Sequence, residues 1–555
     1  MRARLILVLA LAGTAAAQTL PPKSQPQKSQ IRFEDATAKS GIDFTHSIGS
    51  AQLSSLLEGT GSGCVWLDYN NDGLPDLYVL SGQTLPPSLT THELDNPPTP
   101  PPHNHLYRNN GDGTFTDVTD QAGLDPNLYA TAVTAADYDN DGYEDLLVTG
   151  YGRVILYHNN GNGTFTDVTA KAGIKVDGWS ISSTWIDYNH SGCPSIFIGR
   201  YVDFDPKYRN YYAADNYPGP LDYPGTTNKL FRNNCDGTFT DVSAQSGIAA
   251  SIGRTMGVTA ADFTGSGWDD IYVANDSTEN FLFHNNGNGT FKEIAEDAGV
   301  AYGQDGEATS SMGPVAADIT GSGRLDLWVS DGHYNRLMKN NGDGTFTDIG
   351  ILSGLAQANA QYVSWGSGVF DLDNDGQLDI MVFHGGLIHM IPMEHSVFQG
   401  LGGKGRFEDV SRDAGAVVNQ RSVARGACFA DYDNDGKVDA FVVNLNGRGT
   451  LLRNVSTGTG HWIEIRLRGA NTPTNHSASN RDGLGAVVDL WANGQHQVAE
   501  RVASSGYLSQ NDGRLHFGLG AASKIDKLVV HWPSGRVQTL TNLTVDRVFT
   551  VEEPQ

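Results

Sequence analysis

Little in this chain suggests catalysis or a place in a membrane. Four cysteines in 555 residues are too few for a disulfide framework, so packing, with any bound metal, must hold the fold. Positive charge is scarce: 37 Lys and Arg against 63 Asp and Glu leave a formal charge of -26. Nucleic acid and anionic membrane surfaces would repel such a chain and are not expected as partners. No apolar run is long enough to span a bilayer. Also missing are a G-x-S-x-G elbow, a Walker loop and an H-E-x-x-H pair.

What is present begins with MRARLILVLALAGTAAAQ, in which two arginines precede an apolar run from Leu5 to Leu11 and small residues include Ala15 and Ala17. This reads as a signal peptide over residues 1–17, cleaved near Ala17. No cysteine follows the cleavage point, as a lipoprotein would need. Residues 18–30, rich in Pro, Gln and Lys, read as a flexible linker. The expectation is an exported monomer, secreted, periplasmic or associated with the cell surface, with no membrane insertion.

The acid is concentrated in repeats. DYDNDGYEDLLV, beginning at Asp137, has counterparts beginning at Asp68, Asp187, Asp262, Asp318, Asp371 and Asp431, seven in all. The first six are each followed by a second element of the type ILYHNNGNGTFTDVTAKAGI. Its Asn/Asp/Gly cluster between two apolar or β-branched runs is a hairpin turn. One repeat is thus two hairpins, or one four-stranded propeller blade. The seventh copy keeps only TLLRN from Thr450, and its missing half matches IRFEDATAKSGI from Ile31. An N-terminal strand that completes the last blade would close the ring and remove its exposed edges. The expected fold class is therefore all-β: a seven-bladed propeller over residues 31–460, with 31–46 completing the last blade. Residues 461–555 carry short alternating runs separated by Gly, Asn and Pro-Ser-Gly turns and read as a small β-sandwich packed on the propeller. Asn480, Arg481 and Asp482 form either a polar site or a structured turn there.

Counted from its first Asp, the loop at 137 offers oxygens at positions 1, 3, 5 and 9, with a glycine at position 6 and a carbonyl at position 7. Calcium takes six to eight such oxygens. An EF-hand would need flanking helices and a Glu at position 12, where the four acidic loops have Val79, Val148, Val382 and Val442. The expectation is about four strand-loop-strand calcium sites that stabilise blades. The ligands are Asp68, Asn70, Asp72 and Asp76; Asp137, Asp139, Asp141 and Asp145; Asp371, Asp373, Asp375 and Asp379; and Asp431, Asp433, Asp435 and Asp439. The loops at Asp262 and Asp318 replace two acids by hydroxyls, giving weak binding or a hydrogen-bonded turn. The loop at Asp187, with Ser191 and Ser195, is expected to bind nothing.

These loops, alternating with LYRNNGDGTFTDVT, resemble the FG-GAP/VCBS repeats of integrin-alpha-like propellers. SNRDGLGAVVDL, SSGYLSQNDGRLHFGLG and VVHWPSGRVQTLTNL resemble the ASPIC/UnbV domain. Together they are similar to the cartilage acidic protein family, of a bacterial-type exported kind. The resemblance implies a calcium-loaded propeller in adhesion or recognition and supplies no catalytic residues.

The connections between hairpins lie on the face opposite the calcium loops, and they carry the candidate binding residues. One is proline-rich, residues 81–105; another, residues 199–228, bears Tyr201, Tyr208, Tyr211, Tyr212, Tyr217 and Tyr223. Tyrosine pairs an apolar face with a hydroxyl and suits an extracellular glycan or protein ligand; otherwise these rings cap neighbouring blades. A third, FHGGLIHMIPMEHS, gathers His384, His389, Met390, Met393 and His395, with His333 in the equivalent place one blade earlier. They either hold copper or are packing and surface residues. An enzyme, polysaccharide-cleaving or oxidative, with its site in the propeller funnel is the second functional reading. Cys193 and Cys235 fall at the same face of one blade and are candidates for a bridge. Cys64 and Cys428, offset by one residue relative to their loops, are expected to be buried free thiols.

Overall fold

The computed structural model describes residues 31–50, 53–83, 103–124, 128–208 and 217–555. The expected signal peptide and linker, and Tyr211 and Tyr212, lie outside the described residues. Before His461 the described strands include seven four-stranded antiparallel sheets, each built in the order in which its strands occur except the last. Blade 2 is representative: Tyr129–Ala136 is innermost, followed outward by Asp145–Tyr151, Val154–Asn159 and Phe165–Asp167. In blade 7 the three strands Ala424–Ala430, Asp439–Asn444 and Thr450–Asn454 are completed by Phe33–Asp35 from the other end of the chain. Phe33 lies opposite Asn454, and Asp35 opposite Leu452. The fold is an all-β propeller with a C-terminal β domain.

The ring is held by packed apolar layers between blades and by one recurring asparagine. Asn159, which opens the blade 2 hairpin turn, donates from its side chain to the carbonyls of Glu144 in its own loop and Tyr69 in blade 1. Asn233, Asn285, Asn340 and Asn454 make the equivalent pair of bonds to the preceding blade. Asn109 of blade 1 reaches Tyr432 of blade 7 at 2.8 Å and so joins the first blade to the last. Each is a buried amide satisfied by two carbonyls, which makes it a costly group to remove. The motif NNGDG therefore encodes more than a turn: its first residue staples blade to blade.

Both cysteine pairs are disulfides. Cys193 and Cys235 are bridged within blade 3, with Cα atoms 5.7 Å apart. Cys64 and Cys428, expected as free thiols, are also bridged, across blades 1 and 7, with Cα atoms 5.9 Å apart. The one-residue offset that argued against the pairing is what permits it. Equivalent positions in neighbouring blades point the same way around the ring, whereas positions offset by one lie on opposite pleat faces and meet.

From His461 onward the chain forms two sheets. One contains His461–Arg468, Leu515–Gly520 and Val548–Glu552; the other contains Val487–Ala492, Gln495–Glu500, Lys524–His531 and Val537–Thr544. Ile463, Ile465, Val488, Leu490, Phe517, Leu528 and Val530 from the two sheets share one buried core. No helix among the described residues is long and apolar enough to cross a membrane.

Candidate functional site

Each acidic loop is shaped by its own backbone. Asp137 accepts from the N–H groups of Asp141 and Gly142 at 2.9 and 2.7 Å, and Asp141 accepts from Tyr143. Asp371 and Asp431 hold their loops identically. The fourth residue of these loops is an asparagine in the left-handed region, Asn140, Asn374 and Asn434 with φ 60°, 58° and 54°, a conformation that asparagine tolerates better than most side chains. The ninth-position Asp ties the second strand to the third: Asp145 accepts from Asn159 N–H, Asp379 from Gly400 and Asp439 from Asn454.

This scaffold brings carboxylates together. One oxygen each from Asp137, Asp139 and Asp141 lies within 4.8 Å of the others, as do those of Asp371, Asp373 and Asp379, and of Asp431, Asp433 and Asp439. Asp139 and Asp145 converge in the same way with His158. Burial, with these neighbours adding to it, holds Asp145, Asp379 and Asp439 well above the usual carboxylate range, and burial with the nearby Glu464 charge pushes Asp431 up to about 9. In all three loops the third-position carboxylate, Asp139, Asp373 or Asp433, keeps its Oδ1 buried without a hydrogen-bond donor. Orphaned, crowded carboxylate oxygens fit a hard divalent cation, which would satisfy them and relieve their repulsion.

The loop of blade 1 differs from its sequence counterpart. Asp68 pairs with Arg466 of the C-terminal domain at 3.1 Å, and Asn70 donates to Asp72. Asp76 is pushed up to about 8, chiefly by burial. Asp68 Oδ1 and Asp76 Oδ2 remain buried without donors, so a cation there would compete with a guanidinium. In the drifted loops, Asp262 and Asp318 accept from Ser266 and Ser322 N–H groups and keep the turn, and among the described residues no cluster of three metal-ligand groups forms there. At Asp187 the ninth-position Ser195 Oγ takes the bond to Asn233 N–H that a carboxylate takes elsewhere.

The C-terminal domain covers the loop face. Asn480, Arg481 and Asp482 form a structured turn: Asn480 bonds Leu484 through both its amide atoms, Arg481 N–H donates to Asn140, and Asp482 accepts from Asp137 N–H at 2.7 Å. His516 reaches Asn374 at 2.8 Å, and Arg514 reaches Asn434 and the carbonyl of Asp431. Glu500 accepts from Asp262 N–H, and Asn471 donates to the carbonyl of Gly192.

The same domain fills the channel. Ser504 bonds Val258 and Thr259 in the innermost strand of blade 4, and Gly506 N–H donates to Pro314 of blade 5. Tyr507 packs on Trp365 of blade 6 and donates to the carbonyl of Thr60. Leu508 accepts from Val133 of blade 2, Ser509 from Cys64 of blade 1, and Gln510 bonds Ala135 in both directions. Asn511 and Asp512 pair with Phe429 of blade 7. A Cβ on Gly63 would collide with the Leu508 carbonyl, and one on Gly313 would lie 2.8 Å from Tyr507 N. Glycine at these innermost positions lets the segment through.

On the opposite face the candidate residues separate. Tyr201 and Tyr223 are buried, the first against Trp179 with its hydroxyl donating to Asp276 at 2.5 Å. Tyr217 packs on the same apolar cluster and donates to Leu387 O, while Tyr208 is 42 % exposed. His384 is enclosed between Ser364 and Ser396 and stacks on Tyr362; His395 bonds Ser422. His333 and His389 are exposed, and no metal-ligand group among the described residues joins these histidines.

Burial pushes His395 down to about 4 from an ordinary 6.5, and His384 is lowered in the same way. The unfolded chain takes up the proton near pH 6.5 and the folded one only near 4, so the contribution is complete above 6.5 and is lost as the pH falls. His395 alone gives a fall of about 3 kcal/mol between those limits. Urea midpoints measured from pH 7 to 4.5 should decline, and the decline should be shallower in His395→Gln; parallel slopes would contradict this assignment.

A family model for the FG-GAP-like repeat matches residues 68–148, 137–198, 221–273, 262–329 and 318–382, and one described as ASPIC and UnbV matches 476–555. Cartilage acidic protein 1 of Mus musculus is 24% identical over 57% of this chain and 47% of its own length. That of Homo sapiens is 25% identical over 54% of this chain and 43% of its own length. The chain thus spans somewhat under half the length of the curated relatives it matches. A solved Agrocybe aegerita lectin, described as recognising non-reducing terminal N-acetylglucosamine, aligns at 21% identity over 70% of this chain and 86% of its own, with a TM-score of 0.36. By its ring of matched repeats and the segment that covers their loops, the chain belongs to the FG-GAP-like repeat family, with an ASPIC and UnbV domain following the propeller.

Proposed function

We propose that this protein is an exported, calcium-stabilised recognition module that binds an extracellular ligand through the propeller face opposite the metal loops. The family architecture is that of an adhesion-like or recognition module. One observation carries the choice of face: the chain's own C-terminal domain covers the loop face and Ser504–Gln510 fill the channel. The funnel, where an enzymatic reading would place its chemistry, is occupied by protein. The opposite face exposes Tyr208, Leu221, Ile252, Leu387, Ile388 and Ile391. Leu387, Ile388 and Ile391 fall in one connection, and exposed apolar groups gathered in that way mark interaction surfaces. Their aliphatic character favours a protein ligand, and the tyrosines leave room for a glycan.

Calcium is proposed in the loops at Asp137, Asp371 and Asp431, held by Asp137, Asp139, Asp141 and Asp145 and their counterparts, with weaker binding at Asp68. When bound it supplies charge neutralisation. The carboxylates position the loops that the C-terminal domain docks on.

The test is binding of the purified protein to a glycan array and to immobilised extracellular-matrix proteins, compared with Leu387→Arg/Ile391→Arg. At least a tenfold loss in the double variant, with an unchanged melting temperature, is expected. Undiminished binding by that variant would remove this face from consideration.

A further inference from the structure

We propose that the crevice between the loops of blades 1 and 2 and the C-terminal domain is a binding site for a small oxyanion group: sulfate, phosphate or carboxylate. This goes beyond the recognition function above and needs neither that face nor metal in the loops.

The crevice encloses about 430 Å³, and Arg466, Arg468, Arg481, Arg501 and Arg514 all line it. Five guanidinium groups in one cavity stand out in a chain with a formal charge of -26, although five carboxylates, those of Asp68, Asp141, Glu144, Asp482 and Asp512, line it with them. Arg466 and Arg468 alternate on the strand His461–Arg468 and so project from one face of it. Arg481 arrives from the turn that clamps blade 2.

Three of the five are already engaged. Arg466 is paired with Asp68 at 3.1 Å. Arg514 is paired with Asp512 and with Glu464. Arg501 donates to Val502 O at 2.6 Å and lies 3.9 Å from Glu144. The remaining two are not. Arg481 spends one donor on the carbonyl of Gly469 at 3.2 Å, and Arg468 has no side-chain hydrogen bond among the described residues. A guanidinium carries five N–H donors in a planar fork suited to two oxygens of one anion.

The acids that share the crevice each have a partner through at least one oxygen, Asp68 through Arg466, although its Oδ1 has no donor. Asp482 accepts from Asp137 N–H, Glu144 from Asp68 N–H, Asp141 from Tyr143 N–H, and Asp512 from Arg514. Burial and the nearby charges of Arg481 and Arg466 hold Arg468 below its ordinary value, outweighing the opposing charges of Glu552 and Asp68. An oxyanion between Arg468 and Arg481 would take up their unused donors and offset that repulsion. The volume admits such a group on a scaffold the size of a monosaccharide.

The experiment is calorimetric titration of the full chain with sodium sulfate, sodium phosphate and sodium galacturonate, each against a chloride background of matched ionic strength. Runs at saturating calcium and in chelator separate this site from the metal loops. One saturable site for at least one anion is expected, and the anion preferred tells a sulfate or phosphate ester from a uronate. Arg468→Gln and Arg481→Gln should each weaken it at least tenfold, and the preferred anion should raise the melting temperature of the parent but not of Arg468→Gln/Arg481→Gln. Arg468→Lys, which keeps the charge and loses the fork, provides a second, milder variant and should bind between the two. Absence of saturable binding for all three anions, or binding that survives both substitutions, would overturn the proposal.

Discussion

Removing calcium should lower the melting temperature by about 7 °C. At free calcium a hundredfold above Kd, each occupied loop contributes about 2.7 kcal/mol, so the loops at Asp137, Asp371 and Asp431 together contribute about 8 kcal/mol. For a chain of this size, with an unfolding entropy of about 2.1 cal/mol/K per residue, that corresponds to the stated shift. Asp139→Ala, which removes a third-position ligand with an orphaned buried oxygen, should account for about a third of it. Replenishing calcium should restore the melt and magnesium should not, because magnesium demands a smaller, octahedral site and gives up its water reluctantly. Identical melts in chelator and in calcium would sink the metal reading. The loops would then be hydrogen-bonded turns whose carboxylates share protons.

Replacing Arg514 should be the most damaging single change in the domain interface. Its side chain is buried, as is that of Glu464 at 2.8 Å, and it also pairs with Asp512 and reaches Asn434 and the Asp431 carbonyl. Arg514→Ala leaves the buried Glu464 carboxylate with only His516, 3.7 Å away, beside it and is expected to cost about 3–5 kcal/mol. Arg514→Lys should recover only a part, since a point charge cannot serve four acceptors in the plane that a guanidinium spans. Adding Glu464→Gln to Arg514→Ala should return more stability than Glu464→Gln costs alone, which denaturant titration of the four proteins will show. Additive losses would mean that the pair is not coupled.

Much of this architecture is written in short-range pattern. Seven DxDxDG-type loops and the NNGDG turns fix the blades because the alternation of buried and exposed positions, the turn glycines and the carboxylates all lie within about a dozen residues. The half-repeat at Ile31 matched the half missing after Thr450, and Phe33–Asp35 does pair there. Reading the drift of the Asp187, Asp262 and Asp318 loops needed only their own residues, and their hydrogen-bonded turns follow from them.

Other features were not legible. The fourth-position asparagines carried a signal, their recurrence, but counting ligands at odd positions passed over it; they face the neighbouring blade and the C-terminal domain. The Asn159-type staples were hidden inside a turn motif whose local explanation already sufficed. The histidines of FHGGLIHMIPMEHS looked alike in sequence, yet His384 and His395 turn inward to serines while His389 is exposed.

By itself, then, the sequence determined the repeat, the ring and its closure, and the acidic loops, because each is a periodic or self-matching pattern. Only the tertiary structure decided that Cys64 bridges Cys428 across 364 residues, that SSGYLSQ runs through the channel, and that the C-terminal domain covers the acidic loops and gathers five arginines against them. Those contacts join segments with no shared period, and what selects them is the complementary shape, charge and hydrogen bonding of surfaces that exist only once the blades have closed.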